Sequence, residues 1–320
     1  MPRKKVLFIC GSLNQTTQMH QIAREMPGAD CFFTPYYCDG AWIPLQKVGL
    51  LDFTIVGGQN RDKTERYFRE HRLPVDYAGR SFRYDLRLTC TDLLVQRNTR
   101  DAPLVLVQEG MTDPENAVYQ LVKLTHRFGV PRWLASTSTT GLSDAYDFFC
   151  VASEGYRRHF EGKGVKPSKI RVTGIPNFDN CAAYLDNDFP HRGYVLVATT
   201  DTRENFKWDN RARFLREAVR IAAGRQLLFK LHPNEDPSRS SREIRRVAPD
   251  AIIYTTGNTN HMVANSDVLI TQYSSVVYVG LALGKEVHSY FDLEALTAMA
   301  PEQNGGTSGR RIADVCREFL

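Results

Sequence analysis

The chain has 320 residues, more than one comfortable core, so the natural expectation is two domains of roughly 150 residues each. Apolar residues make up 42% and charged residues 24%, the balance of an ordinary globular protein rather than a disordered, fibrous or membrane-spanning one. The net charge of +5 is too small to argue for nucleic-acid binding, yet it suits ligands that carry phosphate or an anionic acceptor.

The amino terminus, Met1 to Lys5, leads into a strand-like run, Val6–Cys10, too short for a secretory signal. No stretch approaches the roughly 18 apolar residues of a membrane span. Seven cysteines without any CxxC pair give no metal-ligand spacing and fit a reducing compartment, so a cytoplasmic location is expected.

Short apolar runs alternate with helical patterns from end to end. The strand Val6–Cys10 is followed by a loop, Gly11 to Asn14, and a helix over Thr16–Met26. Further strands are expected at Leu51–Val56, Asp92–Val95, Leu104–Val107, Phe148–Ala152 and Ile170–Val172. A helix is expected from Pro114 to about Phe128, capped by Asp113, with Val118, Leu121, Val122 and Thr125 on one face. The second half repeats the design, with strands at Tyr194–Ala198, Gln226–Leu231, Ala251–Tyr254, Val268–Ile270 and Glu286–Tyr290. Between the first two of these, a helix from Asn210 to Ala223 buries Phe214, Leu215, Ala218, Val219 and Ala222. Such alternation predicts an α/β protein with two parallel sheets, covered by helices and facing each other across a cleft. The boundary falls near Gly174 to Asn180, giving an amino-terminal domain of residues 1–180 and a carboxyl-terminal domain of residues 181–320 that includes a terminal helix.

Ligands of open parallel sheets bind beyond the carboxyl ends of the strands. After the first strand, Gly11 permits a tight turn, and Ser12 and Asn14 offer donors at a helix start, either as an anion or sugar-hydroxyl site or as caps alone. After Leu104–Val107 stands Glu109, placed to act as a general base, the bland alternative being a surface glutamate beside a turn. The segment Ser136–Ser143 is nearly all hydroxyl and reads as a loop that touches sugars or satisfies its own backbone. After Tyr194–Ala198, Arg203 is a candidate phosphate clamp or a solvated loop arginine. His232 ends its strand with Pro233 stiffening the exit, and an imidazole so placed can donate to a diphosphate oxygen. After Val268–Ile270, Ser274 and Ser275 open an apolar helix, as caps, as phosphate ligands, or as both.

Lys230-Leu231-His232-Pro233, then Thr271-Gln272-Tyr273-Ser274-Ser275, then Gly280 to Lys285, resemble the carboxyl-terminal half of CDP-glycerol glycerophosphotransferases and of capsule glycosyltransferases with an HP and a double-serine motif. The resemblance implies the GT-B architecture of two Rossmann-type domains, a metal-independent site, and a CDP-, CMP- or UDP-linked donor used as substrate, with no further cofactor. It also implies that His232, Ser274 and Ser275 hold the donor's phosphates and that Glu109 is the base. The acceptor would be a sugar or a lipid-linked molecule in envelope polysaccharide synthesis. Two departures stand out: Gln272 replaces the usual aspartate of Asp-Tyr-Ser-Ser, and Glu109-Gly110 replaces the usual His-Gly. A second set of segments, Thr200 to Phe206, His232 to Asn234 and Val172 to Pro176, resembles UDP-N-acetylglucosamine 2-epimerase, of the same architecture but with other motifs absent. A third reading is a binding module that has lost catalysis. Arginines at helical spacing, Arg213, Arg216, Arg220, Arg239, Arg242 and Arg246, form either a solvated face or a peripheral contact with the inner membrane surface.

Overall fold

Short apolar runs become strands buried on both faces, the pattern of parallel sheets covered by helices on either side. The computed structural model describes residues 2–40, 43–47, 54–125, 130–201, 203 and 209–320. The chain divides into two units, Met1–Asp179 with Asn304–Leu320, and Asn180–Gln303.

The first unit carries a sheet of six strands: β1 (Lys5–Cys10), β2 (Asp30–Pro35), β3 (Leu86–Thr89), β4 (Leu104–Val107), β5 (Phe148–Val151) and β6 (Ile170–Val172). Their order across the sheet is β2-β1-β3-β4-β5-β6, and every pairing is parallel. Alternate residues of β1 feed the two faces. Val6, Phe8 and Cys10 pack with Leu86, Leu88, Val105, Val107, Met19 and Ile22. Leu7 and Ile9 pack with Tyr36, Tyr84 and Val56. The last helix, Ser308–Cys316, belongs to this core through Ile312, Ala313 and Cys316. Asp179 fixes its start, accepting the Ser308 backbone N–H at 2.7 Å. The terminal segment thus lies with the first unit, where the sequence had put it with the second.

The second unit carries β7 (Tyr194–Ala198), β8 (Leu227–Lys230), β9 (Ile252–Tyr254), β10 (Ser266–Thr271) and β11 (Glu286–His288). These five strands run parallel in the order β11-β10-β7-β8-β9. The helix Arg211–Ala222 buries Phe214, Leu215, Ala218 and Ala222 against Val195, Val197, Phe229 and Ile270, the stripe expected from its periodicity. Gly280 lets the helix Val277–Ala282 approach the sheet: a Cβ there would stand 2.8 Å from Leu269 Cδ2 and 3.0 Å from Val287 Cγ2.

Several sequence expectations need correction. Of the strand expected at Leu51–Val56, residues 51–53 lie outside the described residues, and Thr54, Ile55 and Val56 form a turn. The partner of β1 on that side is instead Asp30–Pro35. Asp92–Val95 is a loop, and the strand beside it is Leu86–Thr89. The helix expected from Pro114 begins at Ala117, because Asn116 Oδ1 accepts the Tyr119 N–H at 3.0 Å; Asp113 turns away to Thr137 Oγ1, which donates to its Oδ2 at 2.8 Å. Within that helix Tyr119 and Val122 are buried while Val118 and Leu121 are exposed, so of the expected face Val122 lies inside and Val118 and Leu121 point outward. Among the described residues no helix is long and apolar enough to cross a membrane.

Candidate functional site

In each unit the strand order reverses direction once. The loops from neighbouring strands part there and leave a crevice beyond their carboxyl ends. The reversal lies between β1 and β3 in the first unit, and between β7 and β10 in the second.

In the first unit, Ser12 caps the helix Leu13–Arg24, its Oγ accepting the Gln15 N–H at 3.2 Å. The same hydroxyl donates to Glu109 Oε1 at 2.8 Å, across 97 residues of chain. Gln15 completes the grip: its Nε2 donates to Glu109 Oε2 at 2.7 Å while its Oε1 accepts the Gly11 N–H at 3.0 Å. The two bonds orient the amide without ambiguity, since the end that accepts from the backbone leaves the donating end for the carboxylate. Gly11 is required by this approach, because a Cβ would meet Gln15 Oε1 at 2.5 Å and Ile55 Cδ1 at 2.8 Å.

Two more glutamines frame the strand tip. Gln18 Nε2 donates to the Gln108 carbonyl at 2.8 Å, and Gln108 Nε2 to the Gly110 carbonyl at 2.7 Å. Gln108 Oε1 accepts from Ala152 N at 2.9 Å, tying β4's exit to β5's. Burial raises the Glu109 carboxyl above its ordinary value, while the Gln15 and Ser12 hydrogen bonds pull it back down. A carboxyl raised by burial and fixed by two donors is suited to take and return a proton. Ser12 therefore holds Glu109 rather than standing free for a phosphate. Asn14 is exposed at the first turn, and its carbonyl accepts from Asn177 Nδ2 at 2.8 Å.

In the second unit, Gln272 bridges the crevice. Its Oε1 accepts from Thr200 Oγ1 at 3.0 Å, and its Nε2 donates to Asp209 Oδ1 at 2.8 Å. The exits of β7 and β10 are thereby joined just where Ser274 and Ser275 follow. Ser274 makes its own turn, its Oγ accepting from Val276 N at 3.4 Å and its carbonyl from Val277 N at 3.2 Å; both serines are partly exposed.

His232 stands beyond β8, beside β7. Its N–H donates to Thr199 Oγ1 at 3.1 Å and to Glu235 Oε2 at 2.9 Å, which fixes the backbone under the imidazole. Its Nδ1 accepts the Asn234 N–H at 3.2 Å and lies 3.6 Å from Asp201 Oδ2. With Nδ1 so used as acceptor, a neutral ring carries its proton on Nε2. Pro233 thus belongs to a turn that folds back onto the histidine.

Arg203 has a different setting from the one expected of a phosphate clamp. Its Nη1 pairs with Glu243 Oε1 at 2.9 Å, while its Nε lies 3.9 Å from Asp209 Oδ2 and its Nη2 4.0 Å from Glu235 Oε1. Arg211 joins them, its Nη2 2.9 Å from Glu235 Oε1. Thr199 also donates to Glu235 Oε2, and Ser240 to its Oε1 at 3.2 Å. This buried network supports the His232 turn from beneath. The hydroxyl-rich segment is likewise inward-looking: Thr139 Oγ1 donates to the carbonyls of Arg132 and Ser136 at 3.0 and 3.1 Å. Its position is set by buried Asp92, which accepts from Gly141 N and Ser143 N at 3.0 Å each and from Arg132 Nη1 at 3.2 Å. Among the described residues no three His, Cys, Asp or Glu side chains gather as a metal site would require.

Gln15, Gln18, Gln108, Asp209 and Glu235 escaped the sequence reading. A signal existed for the first two: glutamines three apart occupy the buried face of an amphipathic helix, where apolar residues are expected.

No protein-family model matches this chain, and no curated protein matches it. Solved structures do match it over nearly its whole length. A UDP-N-acetylglucosamine 2-epimerase superposes with a TM-score of 0.59 at 13% identity, covering 100% of this chain and 97% of that one. S. aureus MnaA, solved with UDP, gives 0.57 at 11% identity, covering 99% and 97%. The wall teichoic acid polymerase TagF gives 0.53 at 12% identity, covering 99% and 89%. At such identities the likeness is one of fold, and the chain has the α/β fold of these GT-B proteins, built on two Rossmann-type parallel sheets.

Proposed function

We propose that the protein is a nucleotide-activated glycosyl or polyol-phosphate transferase of envelope polysaccharide synthesis, using a CDP-, CMP- or UDP-linked donor. The observation that carries the reading is the Glu109 carboxyl, gripped by Ser12 and Gln15 at a strand tip and raised by burial. In this reading Glu109 takes the proton of an acceptor hydroxyl as that oxygen attacks the donor. The bond to the leaving nucleotide breaks, and negative charge collects on its phosphate. His232, through Nε2–H, with Ser274 and Ser275, would stabilise that charge. Arg203, engaged by Glu243, supports the turn rather than the phosphate. The acceptor is a sugar or a lipid-linked molecule.

The epimerase reading has its own support, since the epimerase superposes with a TM-score of 0.59 against 0.53 for the polymerase. An epimerase needs no acceptor, and the two readings part on that point. The test is thermal stabilisation by CDP, CMP, UDP, GDP and their sugar derivatives, because any ligand of the folded state raises the melting temperature. A shift with CDP or CMP supports the transferase. A shift with UDP-N-acetylglucosamine alone supports the epimerase. His232→Ala should weaken nucleotide binding, and Glu109→Gln should abolish turnover while sparing it. Unchanged affinity in the first, or normal turnover in the second, would remove that residue's role. Nucleotide binding that persists while no turnover occurs with any acceptor would favour a binding module.

A further inference from the structure

Beside the double-serine loop of the second unit stands a cluster of aromatic rings that the chemistry above does not use. Tyr273, the residue before Ser274, is 55% exposed, and Tyr290, just beyond β11, is 47% exposed. The two rings meet edge to face, with centroids 5.6 Å apart and an interplanar angle of 76°. Phe291 supports Tyr273 in the same manner, at 5.1 Å and 80°. Tyr290 also reaches Phe214, a buried core ring in the first turn of the helix Arg211–Ala222, at 6.1 Å. That contact runs from the exit of β11 to the helix after β7, past the end of β10, so the rings stand at the mouth of the crevice between β7 and β10.

The backbone beneath the rings is tied down. Ser289 Oγ donates to the Gln272 carbonyl at 2.7 Å and accepts the Phe291 N–H at 3.2 Å, and the Tyr290 N–H donates to the same carbonyl at 3.4 Å. Gln272 is itself held by Thr200 and Asp209. A single exposed tyrosine needs no explanation, but two half-exposed rings braced by two others, at the ligand end of a parallel sheet, offer a stacking surface that is ordered before a ligand arrives. The donors considered above share one ring: each carries a pyrimidine, whereas only the glycosyl donors bring a second.

We propose that Tyr273 and Tyr290 form the platform on which the pyrimidine of the bound nucleotide stacks. The proposal rests on the reading of Ser274 and Ser275 as phosphate ligands, and adds to it where the base lies and what holds it.

Titration calorimetry of the full chain with CDP, UDP and inorganic pyrophosphate tests it. The nucleoside diphosphates carry the base and pyrophosphate does not. Tyr273→Ala should weaken nucleoside diphosphate binding roughly tenfold or more, since stacking is lost, and leave pyrophosphate binding nearly unchanged. Tyr273→Phe should keep the wild-type affinity, because the ring rather than the hydroxyl makes the stack. Tyr77→Ala, which removes a tyrosine 56% exposed in the first unit, should change neither. Tyr273 is exposed, so the melting temperature of the alanine variant should hold; if it falls, Tyr273→Leu keeps apolar contact with Phe291 while removing the aromatic face. Unchanged nucleotide affinity in the alanine and leucine variants would overturn the platform while leaving the phosphate reading intact. Equal losses for nucleotide and pyrophosphate would also overturn it, since the ring would then only brace the serine loop. A wild-type chain that binds none of the three would remove the phosphate reading and this proposal with it. A change of sedimenting mass in Tyr273→Ala with unchanged nucleotide affinity would instead assign the rings to contact with a second copy of the chain.

Discussion

Replacing Gln15 with leucine removes both bonds that its amide makes, to Glu109 at 2.7 Å and to the Gly11 N–H at 3.0 Å. The first is a hydrogen bond to a charged group, worth about 1.5–3 kcal/mol. Losing it should move the Glu109 midpoint upward, because the bond favours the ionised form. The direction follows from the balance already present, in which burial raises the carboxyl and the two donors hold it down. The second bond's loss orphans a buried backbone donor, at about 1–3 kcal/mol whatever the pH. Stability carries a matching signature. A carboxyl raised in the folded state contributes most below its unfolded pKa of 4.5, and that contribution is lost as pH rises through the folded value. The variant's deficit relative to wild type should therefore be modest in acid and grow as pH climbs above the ordinary carboxylate range. Carbon-13 NMR of glutamate side-chain carboxyls gives the midpoint, with Glu109→Gln identifying the resonance by its disappearance. Thermal unfolding across pH gives the deficit. An unmoved midpoint, or a deficit that does not vary with pH, would refute the claim that Gln15 governs this carboxyl.

Two further outcomes rest on buried acceptors. Asp92→Ala should cost about 3–5 kcal/mol in denaturant unfolding, because it takes the acceptor from Arg132 Nη1 and from two loop N–H groups, leaving Arg132 only the backbone carbonyl; Asp92→Asn should recover part of this by keeping one oxygen. Gln272→Asp should destabilise the protein by on the order of 3 kcal/mol near neutral pH, since it faces a second carboxylate toward Asp209. That deficit should shrink on acidification, and Asp209→Asn in the same chain should relieve it; a double variant no better than the single one would count against the pairing.

Much of the fold could be read from the sequence because its strands are buried on both faces. Val6–Cys10, Leu104–Val107 and Tyr194–Ala198 are unbroken apolar runs, and burial explains every residue in them. The failures came where a polar side chain is buried. Arg87 interrupts the apolar pattern of Leu86–Thr89, yet it is 3% exposed, with Nη2 reaching Asp101 at 2.7 Å. Asp92–Val95 passed for a strand, although Asp92 is the buried acceptor of a loop. In the helix Ala117–Thr125, apolar residues occur at positions that serve either face, and only the packing of Tyr119 and Val122 decides which is inside. The candidate residues were found by one rule, that chemistry gathers at the carboxyl ends of strands. The rule located Glu109, His232 and the two serines on their loops. It could not show that Ser12 and Arg203 have partners of their own, because those partners lie far away in sequence, Glu109 for the one and Glu243 for the other.

Gln272 shows how such distant partners reshape a motif. The glycerophosphotransferases that this segment resembles carry aspartate where Gln272 stands. Here the position is 2% exposed and must satisfy two neighbours at once, an acceptor in Asp209 and a donor in Thr200. The Gln272 amide offers both a donor and an acceptor, whereas a carboxylate would serve Thr200 and repel Asp209. The carboxylate is therefore still present at the exit of β10, but it is supplied by Asp209 from the chain that follows β7. Gln272 thereby joins the exits of β7 and β10, and Ser274 forms a turn of its own. Gln272 is thus compatible with the double-serine turn that follows it, because its amide satisfies Thr200 and Asp209 while Ser274 forms its turn with Val276 and Val277.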